Sequence, residues 1–231
     1  MLKELWKKIQ RRLLKLRLKP IRVFCFHQVS DTFDESTMHH DDWMPTEIFK
    51  QKILDLKQRN YIFISLSEAH DYLRKDIFRV HKYAVLTADD GWASLKNILP
   101  WLNEQRIPIT LFINPAYLDG KHFRERNTEK YLTQEDLKSL NIQYPLLSIG
   151  SHGWEHVDAT KQTEQEFSES ISNSVNVLRS YPNFIPFFAF TWGYCNSKTY
   201  NTVCASNLIP VFMNGNKNFN NKASIYRELL K

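Results

Sequence analysis

Short apolar runs alternate with stretches of helical periodicity along almost the whole 231-residue chain. Ile21–Phe26, Tyr61–Ile64, Tyr83–Ala88, Pro108–Ile113, Leu146–Gly150, Pro186–Phe190 and Leu208–Met213 read as strands buried on both faces. Between them lie helical patterns. Pro45–Gln58 carries Ile48, Phe49, Ile53, Leu54 and Leu56, and Gln162–Ser180 carries Phe167, Ile171, Val175 and Leu178 on one face. Shorter helices are expected after Ser67, over Ser94–Glu104, after the capping-box start Thr133–Asp136, and over Ser197–Ser206. Consecutive strands joined through helices run parallel, so the expected fold class is α/β with mostly parallel strands, a barrel or an open sheet. No linker divides residues 20–231, which are read as one domain. The Asn- and Lys-rich tail from Asn214 is expected to be loop.

Charge separates residues 1–19 from the rest. The formal net charge is +6, yet this segment alone holds eight of the 31 Lys and Arg residues and one of the 25 acidic ones. The remaining chain is close to neutral, which argues against a nucleic-acid groove on its body. Leu2, Leu5, Trp6, Ile9, Leu13 and Leu16 recur three and four apart, with basic residues between them. That is the pattern of an interfacial helix at a membrane surface, or of a helix packed on the domain with a solvated basic rim. The segment is too charged to span a bilayer and lacks the apolar core and cleavage site of a signal peptide. Three sparse cysteines form no disulfide framework. The expected location is cytoplasmic, with the inner membrane face as the surface that residues 1–19 would meet.

Polar groups follow several of the strands: His27, the pair Asp89-Asp90, the pair His152 and His156, and Trp192-Gly193. In a parallel barrel such positions converge on one face. Asp-Asp-Gly alone is ordinary turn chemistry, and a lone His pair is most often solvated. Together they have a sharper meaning. Two imidazoles four residues apart on a turn of helix could chelate one divalent ion, with Asp90 as an oxygen ligand and positions left open for catalysis. Asp89 would then be free to act as a base. Asp158 is a candidate to orient a ring nitrogen. His39-His40-Asp41-Asp42 is a denser cluster, but it lies in a polar loop. Cys25 reads as a small buried hydrophobe.

Thr87-Ala88-Asp89-Asp90-Gly91, followed about sixty residues on by Ser151-His152-Gly153-Trp154-Glu155-His156, resembles the first two motifs of the polysaccharide deacetylase family (carbohydrate esterase family four). Leu111–Pro115 and Phe187–Gly193 resemble its intervening segment and third motif. The likeness extends over about residues 20–213. It implies a distorted, incomplete (β/α) barrel, Asp89 as catalytic base, and Asp90, His152 and His156 as metal ligands. The backbone N–H of Trp192 would be the oxyanion donor. Trp92, Asn114, Trp154 and Trp192 are the expected substrate contacts. The metal expected first is zinc, with cobalt or nickel as alternatives.

The sequence departs from the family pattern in places. Gly153 replaces Ser or Thr, Thr191 replaces Pro, and no His follows His156. Ala189 stands where the third motif carries the arginine partner of the base, so that partner is expected to be missing. Phe26-His27-Gln28-Val29 is similar to the Tyr-His-x-Val motif of deacetylases acting on poly-N-acetylglucosamine, whose general acid comes from that motif. The resemblance therefore implies His27 as general acid and an N-acetylated glycan as substrate. The alternative is a non-catalytic carbohydrate-binding descendant with residues 1–19 as a membrane or partner anchor.

Overall fold

The computed structural model describes Glu4 and residues 20–32, 43–75, 77, 79–119, 131–213 and 224–231. The remainder of the 1–19 segment, His39–Asp42 and His122 lie outside the described residues.

Ten strands and six α-helices follow one another among the described residues. The order is β1 (Ile21–Phe26), β2 (Gln28–Val29), β3 (Trp43–Met44), α1 (Thr46–Gln58), β4 (Tyr61–Phe63), α2 (Leu66–Arg74) and β5 (Lys82–Ala88). Then come α3 (Leu99–Glu104), β6 (Ile109–Ile113), α4 (Gln134–Gln143), β7 (Leu147–Ser151), α5 (Glu164–Leu178), β8 (Phe184–Ala189), α6 (Ser197–Ala205), β9 (Ile209–Met213) and β10 (Ile225–Leu229).

Parallel pairing in the order β1-β10-β9-β8-β7-β6-β5, with β5 returning to β1, closes a seven-stranded barrel. Between the barrel and open-sheet alternatives, pairing between β1 and β5 decides. Their register runs from Ile21 opposite Tyr83 to Phe26 opposite Ala88. The other edge of β5 is shared. Its first residues pair with the flanking strand β4 and its last ones with β6.

Side chains from opposite sides of the ring fill the interior: Val23, Val85, Phe112, Phe187, Val211 and Ile225 form one buried cluster. The helices cover the outside. Phe167, Ile171, Val175 and Leu178 on α5 are buried at helical spacing, as are Phe49, Ile53 and Leu56 on α1. Thr163 and Thr133 begin α5 and α4 with capping boxes. The cap of α2 is Ser65, with Glu68 completing the box, and not Ser67.

The C-terminal residues depart from expectation. Ile225–Leu229 is a strand, inserted between β1 and β9. Its sequence, Ile-Tyr-Arg-Glu-Leu, hides the buried pattern because a charged residue, Arg227, points into the protein with no exposed surface. A bidentate ion pair from Arg22 to Glu228, 2.6 Å for each contact, ties β10 to β1.

Candidate active site

All seven barrel strands are parallel, so the residues following β1, β5, β7 and β8 emerge on one face. There a cavity of about 200 Å³ is lined by Cys25, His27, Asp89, Asp90, His152, His156, Trp192 and neighbours. Larger grooves, about 400 and 620 Å³, run along α5 and α6, but their linings contain no histidine and one carboxylate, Glu164. The chemistry belongs to the smaller cavity.

Two of its residues have left-handed backbone. Of the five described non-glycine residues with positive φ, Asn60, Arg106 and Asn207 directly follow helix C-caps, where that conformation is common. The other two are Asp90 (φ 71°) and Trp192 (φ 58°), both in the cavity wall. Strain of this kind concentrates where a side chain must be aimed.

Asp90, His152 and His156 bring one carboxylate oxygen and two ring nitrogens within 4.8 Å of one another. Asp90 Oδ1 is 3.5 Å from His152 Nε2 and 3.2 Å from His156 Nε2. His152 Nδ1 lies 2.8 Å from the carbonyl oxygen of Ala189. A carbonyl only accepts, so Nδ1 carries the proton and, in a neutral ring, Nε2 presents a lone pair toward Asp90. Acceptors facing one another need a cation or proton between them. A carboxylate and two imidazoles are a suitable donor set for zinc or a similar divalent ion, and the group fits. Burial pushes the Asp90 carboxyl upward, but His156, His152 and His27 outweigh it and hold it well below the usual range.

The His pair is not on a helix. It sits in a loop turned by Gly153 at φ +84°. Asn114 and two serines of α5 hold that loop. Asn114 Nδ2 donates to the carbonyls of His152 (2.6 Å) and Gly153 (3.4 Å). Trp154 N–H donates to Ser170 Oγ at 2.9 Å, and Ser174 bonds Ser151 at 2.8 Å. Thr191 Oγ1 donates to the carbonyl of Val157, joining the loop to the segment after β8.

Asp89 is buried, and Arg227 grips both of its oxygens: Nη1 to Oδ1 at 2.6 Å and Nη2 to Oδ2 at 2.8 Å. The arginine expected to be missing is therefore present, delivered by β10. Arg227 also donates to Thr87 Oγ1 at 3.2 Å and lies over the Phe112 ring at 5.1 Å. Burial raises the Asp89 carboxyl, but Arg227 and then His152 overcome this and hold it below 3.8, so it is ionised near neutrality. Cys25 Sγ approaches Asp89 Oδ2 at 3.4 Å, and a His27 ring nitrogen lies within 4.8 Å of both residues.

The four expected substrate contacts are placed differently from one another. Trp92 is 1% exposed, and its indole N–H donates to Asp90 Oδ2 at 3.1 Å. Asn114 is fully buried under the His loop. Trp154 lines a separate groove with Glu155, Glu166 and Glu169. Trp192 does reach the cavity: it is 59% exposed, and its ring meets His156 edge to face at 4.7 Å. Among the described residues Asp158 bonds no imidazole; its carboxylate accepts from Thr160.

With this geometry, the matching family model, "Polysaccharide deacetylase", covers residues 79–206. The chain belongs to the polysaccharide deacetylase family. His27 and Arg227 both lie outside the matched segment. Among curated proteins no sequence matches it. Among solved structures it is similar to IcaB from Ammonifex degensii (19% identity, TM-score 0.74, 92% of each chain covered). It is also similar to the Streptococcus pyogenes deacetylase PplD in complex with acetate (19%, 0.75, covering 90% of this chain and 91% of that one). A de-N-acetylase from Aggregatibacter actinomycetemcomitans is comparable (18%, 0.73, 91% and 94%). At these identities the likeness is one of fold.

Proposed function

We propose that this family member is a metal-dependent hydrolase that removes N-acetyl groups from amino sugars of a glycan. The observation that supports it best is the inequality of the two adjacent carboxylates. Asp89 is held by Arg227, while Asp90 faces His152 and His156.

Bound at Asp90, His152 and His156, a divalent ion would polarise the acetyl carbonyl and lower the pKa of a water molecule from about 16 toward 7. Asp89, ionised and fixed by Arg227, takes a proton from the attacking water. The Trp192 N–H donates to the oxyanion that develops on the acetyl carbon's oxygen, a contribution of about 3 kcal/mol for a donor of this kind. His27, which lines the same cavity beside Asp89, protonates the sugar nitrogen as the C–N bond breaks. Acetate and a free amine leave. Acid–base steps of this type each supply about 10²–10⁴-fold.

Zinc is the ion we favour, and an N-acetylglucosamine polymer or lipid-linked glycan the substrate class. An acting site at the inner membrane face, reached through residues 1–19, would suit a lipid-linked acceptor. The alternative, a carbohydrate-binding descendant without turnover, rests on the arginine missing from the third motif and on the altered loop residues; Arg227 answers the first, while Gly153 and Thr191 remain departures.

The test is acetate release from a panel of N-acetylated oligosaccharides by metal-stripped, zinc-, cobalt- and nickel-loaded protein. Turnover is expected only in loaded protein. Asp89→Asn should lower kcat by 10²–10⁴-fold with metal content unchanged. Binding of oligosaccharide without acetate release from any substrate would favour the alternative, and full activity in Asp89→Asn would overturn the mechanism.

A further inference from the structure

Three aromatic side chains from three separate segments stack beside the cavity. Trp92 follows β5, Tyr117 closes the turn Pro115–Tyr117 after β6, and Tyr131 precedes α4. The Trp92 and Tyr131 rings are 4.4 Å apart and 22° from parallel. Tyr131 and Tyr117 are 4.6 Å apart at 24°. Backbone pairing of Trp92 with Tyr131, and a 2.8 Å bond from Leu132 N–H to the Gly91 carbonyl, hold the column in register.

Each end of the column bonds a different candidate metal ligand. At one end Trp92 Nε1 donates to Asp90 Oδ2 at 3.1 Å, while Oδ1 faces the imidazoles. At the other end Tyr117 Oη accepts from the backbone N–H of His156 at 3.1 Å. The ligands come from loops after β5 and β7, which the column spans. Stacked rings transmit position well because they are stiff: an aromatic side chain has two rotatable bonds, and its offset-stacked neighbours resist sliding.

We propose that Trp92, Tyr131 and Tyr117 form a positioning column that sets the metal affinity of this site by fixing Asp90 and His156 relative to each other. Trp92 occupies one Asp90 oxygen and leaves the other to face the His pair. Tyr117 fixes the height of the His156 backbone. The inference rests on the metal-dependent reading above. Trp92 and Tyr117 are positioning residues that act through Asp90 and His156.

Trp92→Phe and Tyr117→Phe each retain a ring in the column and delete the hydrogen bond to Asp90 or to the His156 backbone. In full-length protein stripped of metal, both variants are expected to melt within a few degrees of wild type. Zinc affinity, measured by competition with a chromogenic chelator, is expected to fall 10–100-fold in each, the usual effect of losing an outer-shell partner. The visible absorption of the cobalt-loaded Trp92→Phe protein is expected to change, because Asp90 gains a second available oxygen. Wild-type affinity and an unchanged cobalt spectrum in both variants would overturn the column. A wild-type protein that binds neither zinc nor cobalt would instead overturn the reading on which it rests. Should Trp92→Phe not fold, Tyr117→Phe decides alone.

Discussion

Adjacent acids with different work to do must be given different surroundings. Asp89 and Asp90 are neighbours in sequence, yet one meets a guanidinium and the other two imidazoles. The left-handed φ of Asp90 turns the backbone between the two. Arg227→Met should therefore have two consequences. Leaving Asp89 buried without its cation should cost about 3–5 kcal/mol of stability, measurable by urea denaturation. It should also raise the Asp89 pKa, so the base form persists only at higher pH and the acidic limb of kcat/KM moves upward. An unmoved limb would mean that Asp89 is not the titrating base. The same pair predicts a stability profile. Asp89 is depressed below 3.8 in the folded protein, so its contribution is complete above that value and is lost as pH falls through the folded pKa. Arg227 was hard to anticipate because a charged residue in a short Asn- and Lys-flanked segment reads as surface.

Strands β6, β7 and β8 carry the His loop, and their packing is tight where it bends. The register between β7 and β8 shifts between Ile149 and Ser151, just before His152. Gly150 lies in that interval. A Cβ there would stand 2.7 Å from the Phe112 ring and 3.0 Å from the Phe187 carbonyl. Neither can yield easily: the ring is core and the carbonyl is backbone. Gly150→Ala should cost about 1–3 kcal/mol, a melting temperature lower by roughly 2–12 °C in a domain of this size. A Tm equal to wild type would show that the strand interface has slack. Helices and most strands were legible because one-sided or continuous burial imposes a period on the chain. The His loop was not, because its shape comes from Asn114, Ser170 and Ser174, which approach from elsewhere in the fold.

The closed barrel depends on a strand near the end of the chain meeting one near its beginning. β10 fills the place between β1 and β9, bonds Glu228 to Arg22, and from the adjacent residue of the same strand carries Arg227 to Asp89. One strand thus both completes the ring and supplies the partner of the base. Among the described residues no helix is long and apolar enough to cross a membrane. Membrane contact through residues 1–19 is a separate proposal, drawn from their basic amphipathic pattern. In liposome flotation with anionic vesicles, the full chain should float and a variant lacking residues 1–19 should not, with raised salt weakening the association. Equal flotation of the two would dismiss the anchor.

Local sequence determined what local physics can impose. Apolar periodicity established the alternation of strands and helices, and the order of acidic and histidine motifs indicated the family and its donor set. Tertiary structure decided which of those residues could do what. It buried Trp92 and Asn114, left Trp192 exposed at the cavity, and brought Asp89 its partner Arg227, 138 residues away. The reason is that ring closure and ion pairing across the barrel depend on long-range contacts. A residue's partners there are set by which strand lies beside it, and no local period encodes that.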